Sequence, residues 1–594
     1  MKLKNKIFKL VIPASLLLIV LFVACKKSFL NKPPLGTLSP EILATEKGVN
    51  GLLIGAYSLV DGEGASGDGF ASGASNWIFG GVAGDDAYKG SDPTDVAVAA
   101  PFEQWVSLDA NNGAIPQKWS LCYAGAQRCN DVINTLAIAT GISAPKATAI
   151  TAQARFLRAY YHMELKKCFN NIIFADETVN PQNIAVDNST DVWPKIEADL
   201  AFAVANLPAT WSEVGRANSW AAKALLAKAY MFQKKYSTAY PILQDIITNG
   251  KTTGGIKYKL TDNFFSNFNP AQKNSSESIF AAQTSVHDGS SVDWGGDPNG
   301  NYGDILNFPY TGGPGGCCGF YNPSQDLANA YKTDANGLPL LDTWFSGNNV
   351  GAESGTSYAG NIDPRIDWTM GRPGINYLDW GTHPGFTWIR NPANDGNKSP
   401  KKNVYAASQK DAFTDVGSAY WGPTQLVANN VNIIRFADVI LWAAECAADA
   451  NQLTAARDYV NTVRNRAKTS AWVKTGTDNY DAATASYSSG ANADPSYKVE
   501  PYTSFADQAT AVKAIRFERR LELAMEGIRF FDLVRWDIAA PVINAYIARE
   551  KVNRPLKLNA NFVAPKNNYF PIPQGEIDNM NADGVIRLKQ NTGY

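Results

Sequence analysis

Histidine is nearly absent from this sequence: His162, His287 and His383 are the only three in 594 residues. There is no HExxH, no cysteine and histidine cluster at zinc spacing and no GxSxG nucleophile turn, so metal-dependent or serine-based hydrolysis has no visible footing. His162 stands among Tyr160, Tyr161 and Met163 in a helix-patterned stretch and reads as a core residue. A phosphate loop is missing too, because the glycine-rich GGPGGCCGF lacks the closing Lys-Ser/Thr. An excess of charge of one sign is also missing. The 54 basic and 55 acidic residues nearly cancel, a balance that argues against nucleic acid as a partner.

Cysteine is sparse. Beside Cys25 there are Cys122, Cys129, Cys168, Cys317, Cys318 and Cys446, too few for a disulfide framework in so long a chain. Cys122 and Cys129 share one face of a predicted helix and read as small buried residues. The adjacent Cys317-Cys318 has two readings: a vicinal disulfide, which would make a stiff, flat loop element able to line a ligand site, or two free thiols in a glycine-rich loop.

Long apolar runs are confined to the N-terminus, MKLKNKIFKLVIPASLLLIVLFVAC. Lys2, Lys4, Lys6 and Lys9 precede an apolar run broken by Pro13, with Ala24 before Cys25. Spanning a bilayer takes about 20 apolar residues and this run is nearer 15, so residues 1–24 read as a cleaved lipoprotein signal and Cys25 as the lipidated residue. Two or more acyl chains would make the tether durable. Without those 24 residues the balance is 50 basic to 55 acidic groups.

What remains is globular in composition, with 45% hydrophobic and 18% charged residues, and too long for a single ordinary core. Residues 25–40 read as a tether. A first helix is predicted from Glu41 to Leu59, followed by a glycine-rich stretch carrying Trp77, Asp85, Asp86 and Trp105. Helical periodicity then predicts Gln117–Leu136, Ala144–Phe169, Asp191–Leu207, Ser219–Gln233 and Tyr236–Thr248. Between Gly255 and Pro423 the pattern is lost, yet six of the fifteen tryptophans fall there. So aromatic a segment reads as a packed cap rather than a disordered linker. Helices resume at Ile433–Ala450, Leu453–Arg466 and Phe505–Gly527. The ending from Pro571 to Tyr594 reads as non-helical chain laid across the body.

Leu226, Tyr230, Ala239 and Leu243 are spaced four, nine and four apart, and Trp442, Cys446, Ala455 and Tyr459 repeat those intervals. This resembles a tetratricopeptide hairpin, whose apolar face is buried only by stacking on a neighbour.

The most distinctive stretch is Ala514 to Trp536, AIRFERRLELAMEGIRFFDLVRW. Phe517, Leu521, Met525 and Ile528 form an apolar stripe at helical spacing, beside Glu518, Glu522 and Glu526 and five arginines. Such density has two readings: an exposed helix laced with weak ion pairs, or enclosed, paired charges. RxERRLELAxEGxRFFDLxRW resembles the C-terminal signature of the SusD/RagB family of outer-membrane nutrient-binding lipoproteins. SFLNKPPLGTLSPE, QARFLRAYYHMELKKCF, GRANSWAAKALLAKAYM, NVNIIRFADVILWAAECA and the ending YFPIPQGEIDN…LKQNTGY resemble that family in the same order, over nearly the whole chain after Cys25.

The resemblance implies an all-α fold of tetratricopeptide-like hairpins, four in number, with a large irregular cap. On this expectation the scaffold is 41–60, 116–254 and 425–594, and the cap 61–115 and 255–424. It further implies glycan binding by loop-borne aromatics, no covalent chemistry, and seating as a lid on a SusC-like TonB-dependent transporter of the outer membrane. A sugar needs flat aromatics for its ring face and Asp, Asn or Arg for its hydroxyls. By region and chemistry the candidates are Asp86, Trp105, Trp294, Tyr310, Trp380 and Trp388, with Asn111 and Arg390 as polar partners. Two other functions stay open, a surface glycoside hydrolase and a peptide-binding member of the same family. For the hydrolase, Asp85, Asp86, Asp293, Asp297 and Asp304 are available acids with no pair singled out. Asp297, Asn299 and Asn301 alternate as in a calcium loop, without an EF-hand's glycine and closing Glu; a plain Asx turn fits the same residues.

Overall fold

The computed structural model describes residues 40–64, 69–180, 184–290, 298–415 and 426–594. Cys25, Trp294, Trp421, Asp293 and Asp297 fall outside the described residues. The scaffold runs through α1 (Glu46–Ser58), α2 (Ala114–Ile138), α3 (Ala144–Phe169), α4 (Trp193–Asn206), α5 (Ser219–Phe232) and α6 (Tyr236–Asn249). It resumes with α7 (Phe436–Asp449), α8 (Leu453–Thr469), α9 (Gln508–Leu523), α10 (Arg529–Arg535) and α11 (Ala539–Glu550). Thr45, Asn218 and Asp507 set three of the starts, each side chain accepting a backbone N–H of the first turn, from Gly48, Ala221 and Thr510.

From α1 to α8 each helix packs on the next, as stacked hairpins must. This holds even across residues 250–435, because α6 packs directly on α7. The repeat spacing is what makes that possible. Leu226, Ala239 and Leu243 are buried in one hairpin and Trp442 and Cys446 in the next. Cys446 Sγ lies 3.5 Å from Met231 Sδ across the joint. The long cap is therefore an insertion between consecutive repeat helices, clamped at its neck by an antiparallel pair, β1 (Ser278–Ala282) and β2 (Val431–Arg435).

The structure moves three predicted boundaries. α7 starts three residues later than its periodicity suggests, because Val431–Arg435 is drawn into β2. The signature stretch is two helices: Met525 and Gly527 have φ of 62° and 64°, so the chain turns between α9 and α10. Gln574–Met580 is a short helix within the ending read as non-helical, started just after Pro573, which occupies the cap position and so breaks no internal hydrogen bond.

The cap has an apolar core of its own, built on Phe264, Phe265, Phe268, Phe308, Trp368 and Tyr405. Trp368 stacks on Phe265 with centroids 5.2 Å apart and donates its indole N–H to the Ala471 carbonyl at 2.8 Å. Trp388 belongs to the same core and Trp380 packs against it.

Of the two readings of the charged signature, the enclosed one is observed. Glu518, Arg519, Arg520 and Glu522 are each at most 3% exposed. Glu522 meets Arg435 at 2.7 Å, Arg365 at 2.9 Å and Arg466. Glu518 bridges Arg365 at 2.7 Å and Arg464 at 2.8 Å. Arg520 reaches Asp85 at 3.0 Å and Asp326 at 2.9 Å, and Arg519 holds Asp532 at 2.9 Å. Since Arg365, Asp326 and Asp85 sit in cap segments and Arg464, Arg466 and Arg435 in the scaffold or at its edge, α9 acts as a pin through both bodies.

Candidate functional site

Three cap segments are laced together at residues 87–95, 308–321 and 385–393. Tyr321 N–H donates to the Lys89 carbonyl at 2.9 Å, Ser91 N–H to Gly319 at 2.6 Å, and Tyr310 N–H to Trp388 at 2.9 Å. Lys89 rivets the first segment: its buried ammonium donates to the carbonyls of Asp92 and Asp95 at 2.9 and 2.8 Å and lies 4.9 Å from the Phe320 ring. On this base Arg390 stands over the half-buried Tyr310 ring, its guanidinium carbon 5.2 Å from the centroid. It donates to Ser91 Oγ at 2.9 Å and pairs with Asp95. The result is a fixed aromatic ring, a guanidinium, a carboxylate and a hydroxyl on one loop cluster.

Residues 311–319 cover the third side. Cys317 and Cys318 are joined as a vicinal disulfide, the first of the two readings of that pair. Gly312 and Gly313 have φ of 71° and 60°, and a Cβ on either would run into the Trp388 ring at 2.5 or 2.8 Å. Only glycine lets the loop lie that close. Trp388 is consequently 8% exposed, packed edge-on to Tyr377 at 5.4 Å and His383 at 5.0 Å. It supports the loop from below.

The 385–393 segment also borders a hollow of about 570 Å³. Two exposed phenyl rings flank it, Phe345 at 42% and Phe386 at 43% exposure. Apart from Pro392 and Ala393 its remaining lining is polar, including Asn329, Asn349, Glu353, Asn553, Arg549 and Arg554. These groups are held in place. Arg554 pairs with Glu353, Arg549 with Asp326 at 2.6 Å, and Asn329 accepts the Val350 N–H at 2.9 Å. A hollow with two ring faces and a preorganised polar wall suits a ligand that has both apolar faces and hydroxyls.

Beneath the hollow, Lys398 donates to Gln325 Oε1 at 2.8 Å, Asn397 Oδ1 at 2.9 Å and the Gly351 carbonyl at 3.1 Å, all neutral acceptors. Lys401 likewise donates to the Asp367 and Asn376 carbonyls at 2.6 and 3.0 Å. Burial pushes both ammoniums down to about 7. The unfolded chain keeps these protons up to an ordinary lysine pKa of about 10.4 while the folded chain releases them near neutrality, so folding stability rises with pH across that window. The melting temperature at pH 9 is therefore expected above that at pH 7, and Lys398→Met is expected to shrink the difference. Equal pH responses of wild type and variant in scanning calorimetry would refute this.

Of the eight candidates read from the sequence, the structure brings Tyr310, Trp388 and Arg390 together. Two others are corrected. Asp86 is 1% exposed, accepts the Met525 N–H at 3.3 Å and lies 3.7 Å from Arg520. Burial, and secondly the neighbouring Asp85, push its carboxyl up to about 6. It serves the interior pin, not a ligand. Trp105 is 5% exposed, enclosed by Phe530, Phe562 and Phe570 at 5.1, 4.8 and 5.7 Å, and belongs to the scaffold core. Trp380 is half-buried and donates to the Tyr405 carbonyl at 2.8 Å. Asn111 is exposed on a turn whose neighbour Ala110 is tied to Gln574 of the C-terminal segment. Trp294 lies outside the described residues, as does Asp297 of the calcium-like loop. In that loop Asn301 is buried and donates to Asp304 at 2.9 Å, and no group of three metal-ligating side chains occurs among the described residues. No helix among them is long and apolar enough to cross a membrane.

Sequence reasoning missed Phe345 and Phe386. Each had a signal: Phe345 precedes Ser-Gly-Asn-Asn and Phe386 follows Pro-Gly, turn-forming surroundings that push a ring outward.

The model described as "SusD family" matches residues 276–594, and one described as "Starch-binding associating with outer membrane" matches 85–231. A curated relative, SusD-like protein P25 of Formosa agariphila, is 23% identical over 550 residues, covering 87% of this chain and 88% of its own. A SusD-like protein of Bacteroides ovatus is 35% identical over 138 residues, 22% of this chain and 24% of its own. Among solved structures, a laminarin-binding SusD-like protein superposes with a TM-score of 0.66 at 22% identity, covering 93% of this chain and all of its own. Surface glycan-binding protein A from Bacteroides thetaiotaomicron, in complex with laminarihexaose, gives 0.64 at 21% identity, covering 92% and 99%. With a family model spanning more than half its length and this fold, the chain belongs to the SusD family.

Proposed function

We propose that this protein captures an oligosaccharide on the cap face between the Tyr310–Arg390 cluster and the hollow flanked by Phe345 and Phe386. It then passes the nutrient to a SusC-like TonB-dependent transporter, held at the outer membrane by lipidated Cys25. The observation that carries the reading is the pair of exposed phenyl rings on a hollow whose remaining wall, Pro392 and Ala393 apart, is polar, chiefly amide, carboxylate and guanidinium. The names of the structural relatives, which bind laminarin or carry laminarihexaose, support a glycan ligand.

Hydrolysis is the weaker reading because the acids at the hollow are engaged. Asp326 is held by Arg520 and Arg549, and Glu353 by Arg554. Glu550, whose carboxyl burial pushes up, accepts Tyr88 O–H at 2.7 Å and Asp326 N–H at 2.9 Å. Each is thus already committed to a structural partner, and no two of them stand as a free acid and base pair.

Titration calorimetry against an oligosaccharide panel tests the proposal. One ring face removed from water, roughly 50 Å², contributes about 1.3 kcal/mol, so Phe386→Ala is expected to weaken binding about tenfold with an unchanged circular dichroism spectrum. No bound oligosaccharide, or full affinity in both Phe386→Ala and Phe345→Ala, would overturn it; new reducing ends on incubation would favour the hydrolase.

A further inference from the structure

A second hollow, of about 820 Å³, opens where α9, α10 and α11 meet the cap loop at Leu341–Phe345. Its walls differ from the polar one. Trp344, Phe345, Phe517, Trp536, Ile538 and Val542 supply most of the surface, and it is within the size range of small-molecule sites.

The arginines around it are matched by carboxylates, with one exception. Arg529 holds Asp85 at 2.6 Å, Arg520 holds Asp326 at 2.9 Å, and Arg549 holds the other oxygen of Asp326 at 2.6 Å. On the rim Lys513 pairs with Asp342. Arg519 and Arg535, elsewhere on the same signature stretch, hold Asp532 and Glu445. Arg516 has no carboxylate within ion-pair distance among the described residues; Glu445 and Asp532 act on it only from farther away, and both are held by Arg535 and Arg519. It lines the hollow half-buried, its guanidinium carbon 5.0 Å from the Trp536 ring centroid. In a stretch where every other arginine has an acid, the unmatched one faces an apolar hollow.

We propose that this hollow binds a small amphiphilic anion, a flat or branched apolar body bearing one carboxylate or sulfonate. The body lies against Trp344, Phe517 and Val542, and the anion takes the free edge of Arg516. The surface is mainly apolar and Lys513, Arg520, Arg529 and Arg549 are already paired, which suits an apolar body better than a sugar, and one guanidinium without a carboxylate partner sets one charge. Stacking on Trp536 leaves the guanidinium's in-plane N–H donors free for bidentate contact with a carboxylate. The site is independent of the glycan surface, with which it shares only Phe345 and Arg549 at its border.

The test uses the full chain with 2-naphthoate and its neutral match 2-naphthamide, read by calorimetry. A charge-assisted bidentate contact is expected to make naphthoate bind roughly tenfold tighter than the amide. Arg516→Gln is expected to erase that preference while leaving oligosaccharide affinity and melting temperature in place. Val512→Trp, which fills the hollow from a half-buried lining position, is expected to remove binding of both probes. Equal affinity for the two probes, no binding of either, or an unaltered preference in Arg516→Gln would overturn the proposal. So would light scattering that shows the chain self-associating through this face and the dimer lost in Val512→Trp.

Discussion

Replacing Glu522 by Gln is expected to lower the free energy of unfolding by about 3–5 kcal/mol, although the two side chains are nearly the same size. The reason is the charge balance around α9. Arg365, Arg435, Arg464, Arg466 and Lys402 face Glu277, Asp363, Glu518, Glu522 and Glu526 in one buried set, five cations against five carboxylates. Glu522 alone touches three of the guanidiniums. Burial by itself would raise its carboxyl, but Arg466, Arg435 and Arg365 hold it below the usual carboxylate range. The amide leaves one guanidinium charge uncompensated in the interior, where the desolvation penalty is no longer offset. A second substitution should restore part of the loss: Arg466→Met in the Glu522→Gln background removes the surplus cation, so the double variant is expected to be less destabilised than the sum of the singles. Urea unfolding measures both. A loss under about 1 kcal/mol, or simple additivity, would show that water or a rearranged partner neutralises the site.

The same group sets the acid limit. A carboxyl whose folded pKa lies below its unfolded value contributes stability that is fully present above the unfolded pKa of about 4.3 and is lost as pH falls through the folded one. Glu522 and Glu164 are both depressed this way, so the acid arm of the stability profile is expected to be steep below about pH 4, and stability rises with pH there as it does, at neutral to alkaline pH, through Lys398 and Lys401.

The scaffold was legible because helix periodicity is local. Ala144–Phe169 begins and ends where its pattern does, and Leu226–Leu243 and Trp442–Tyr459 repeat because consecutive hairpins must offer one another the same small and large residues. β2 was not legible, since Val431–Arg435 becomes a strand only through pairing with Ser278–Ala282, more than a hundred residues away. The site was half legible for a related reason. The sequence shows which residues can grip a sugar, but a tryptophan serves a core as well as it serves a ligand. The cap needed a core, and Trp368 and Trp388 went into it. The ligand-facing rings fell to Phe345 and Phe386, in short turns without a family motif. Asp86 was misplaced because its partner Arg520 is remote in sequence; adjacent acids in a glycine-rich stretch look like surface until the opposing guanidinium is located.

The turn after α9 carries the second large effect, Gly527→Ala. At φ of 64° an alanine is already strained by about 1–2 kcal/mol. Its Cβ would also fall inside the van der Waals shell of the Ser75 carbonyl oxygen, backbone that cannot swing aside. The opposing residue is equally constrained, because a Cβ on Gly80 would strike the Gly527 carbonyl. Two glycines thus let the signature turn dock on residues 73–84, the segment that leads through Asp85 and Asp86 into the loop holding Lys89, Ser91 and Asp95. Gly527→Ala is expected to cost about 3–5 kcal/mol in total and to weaken oligosaccharide binding as well, since the Arg390–Asp95 pair depends on that loop. Gly51→Ala supplies the contrast. It lies exposed within α1, where an added Cβ meets nothing within 4 Å, and it is expected to be neutral or to stabilise by up to about 1 kcal/mol. If thermal unfolding places the two variants together, the turn yields to a methyl group, and close glycine packing is not what aligns the scaffold with the cap.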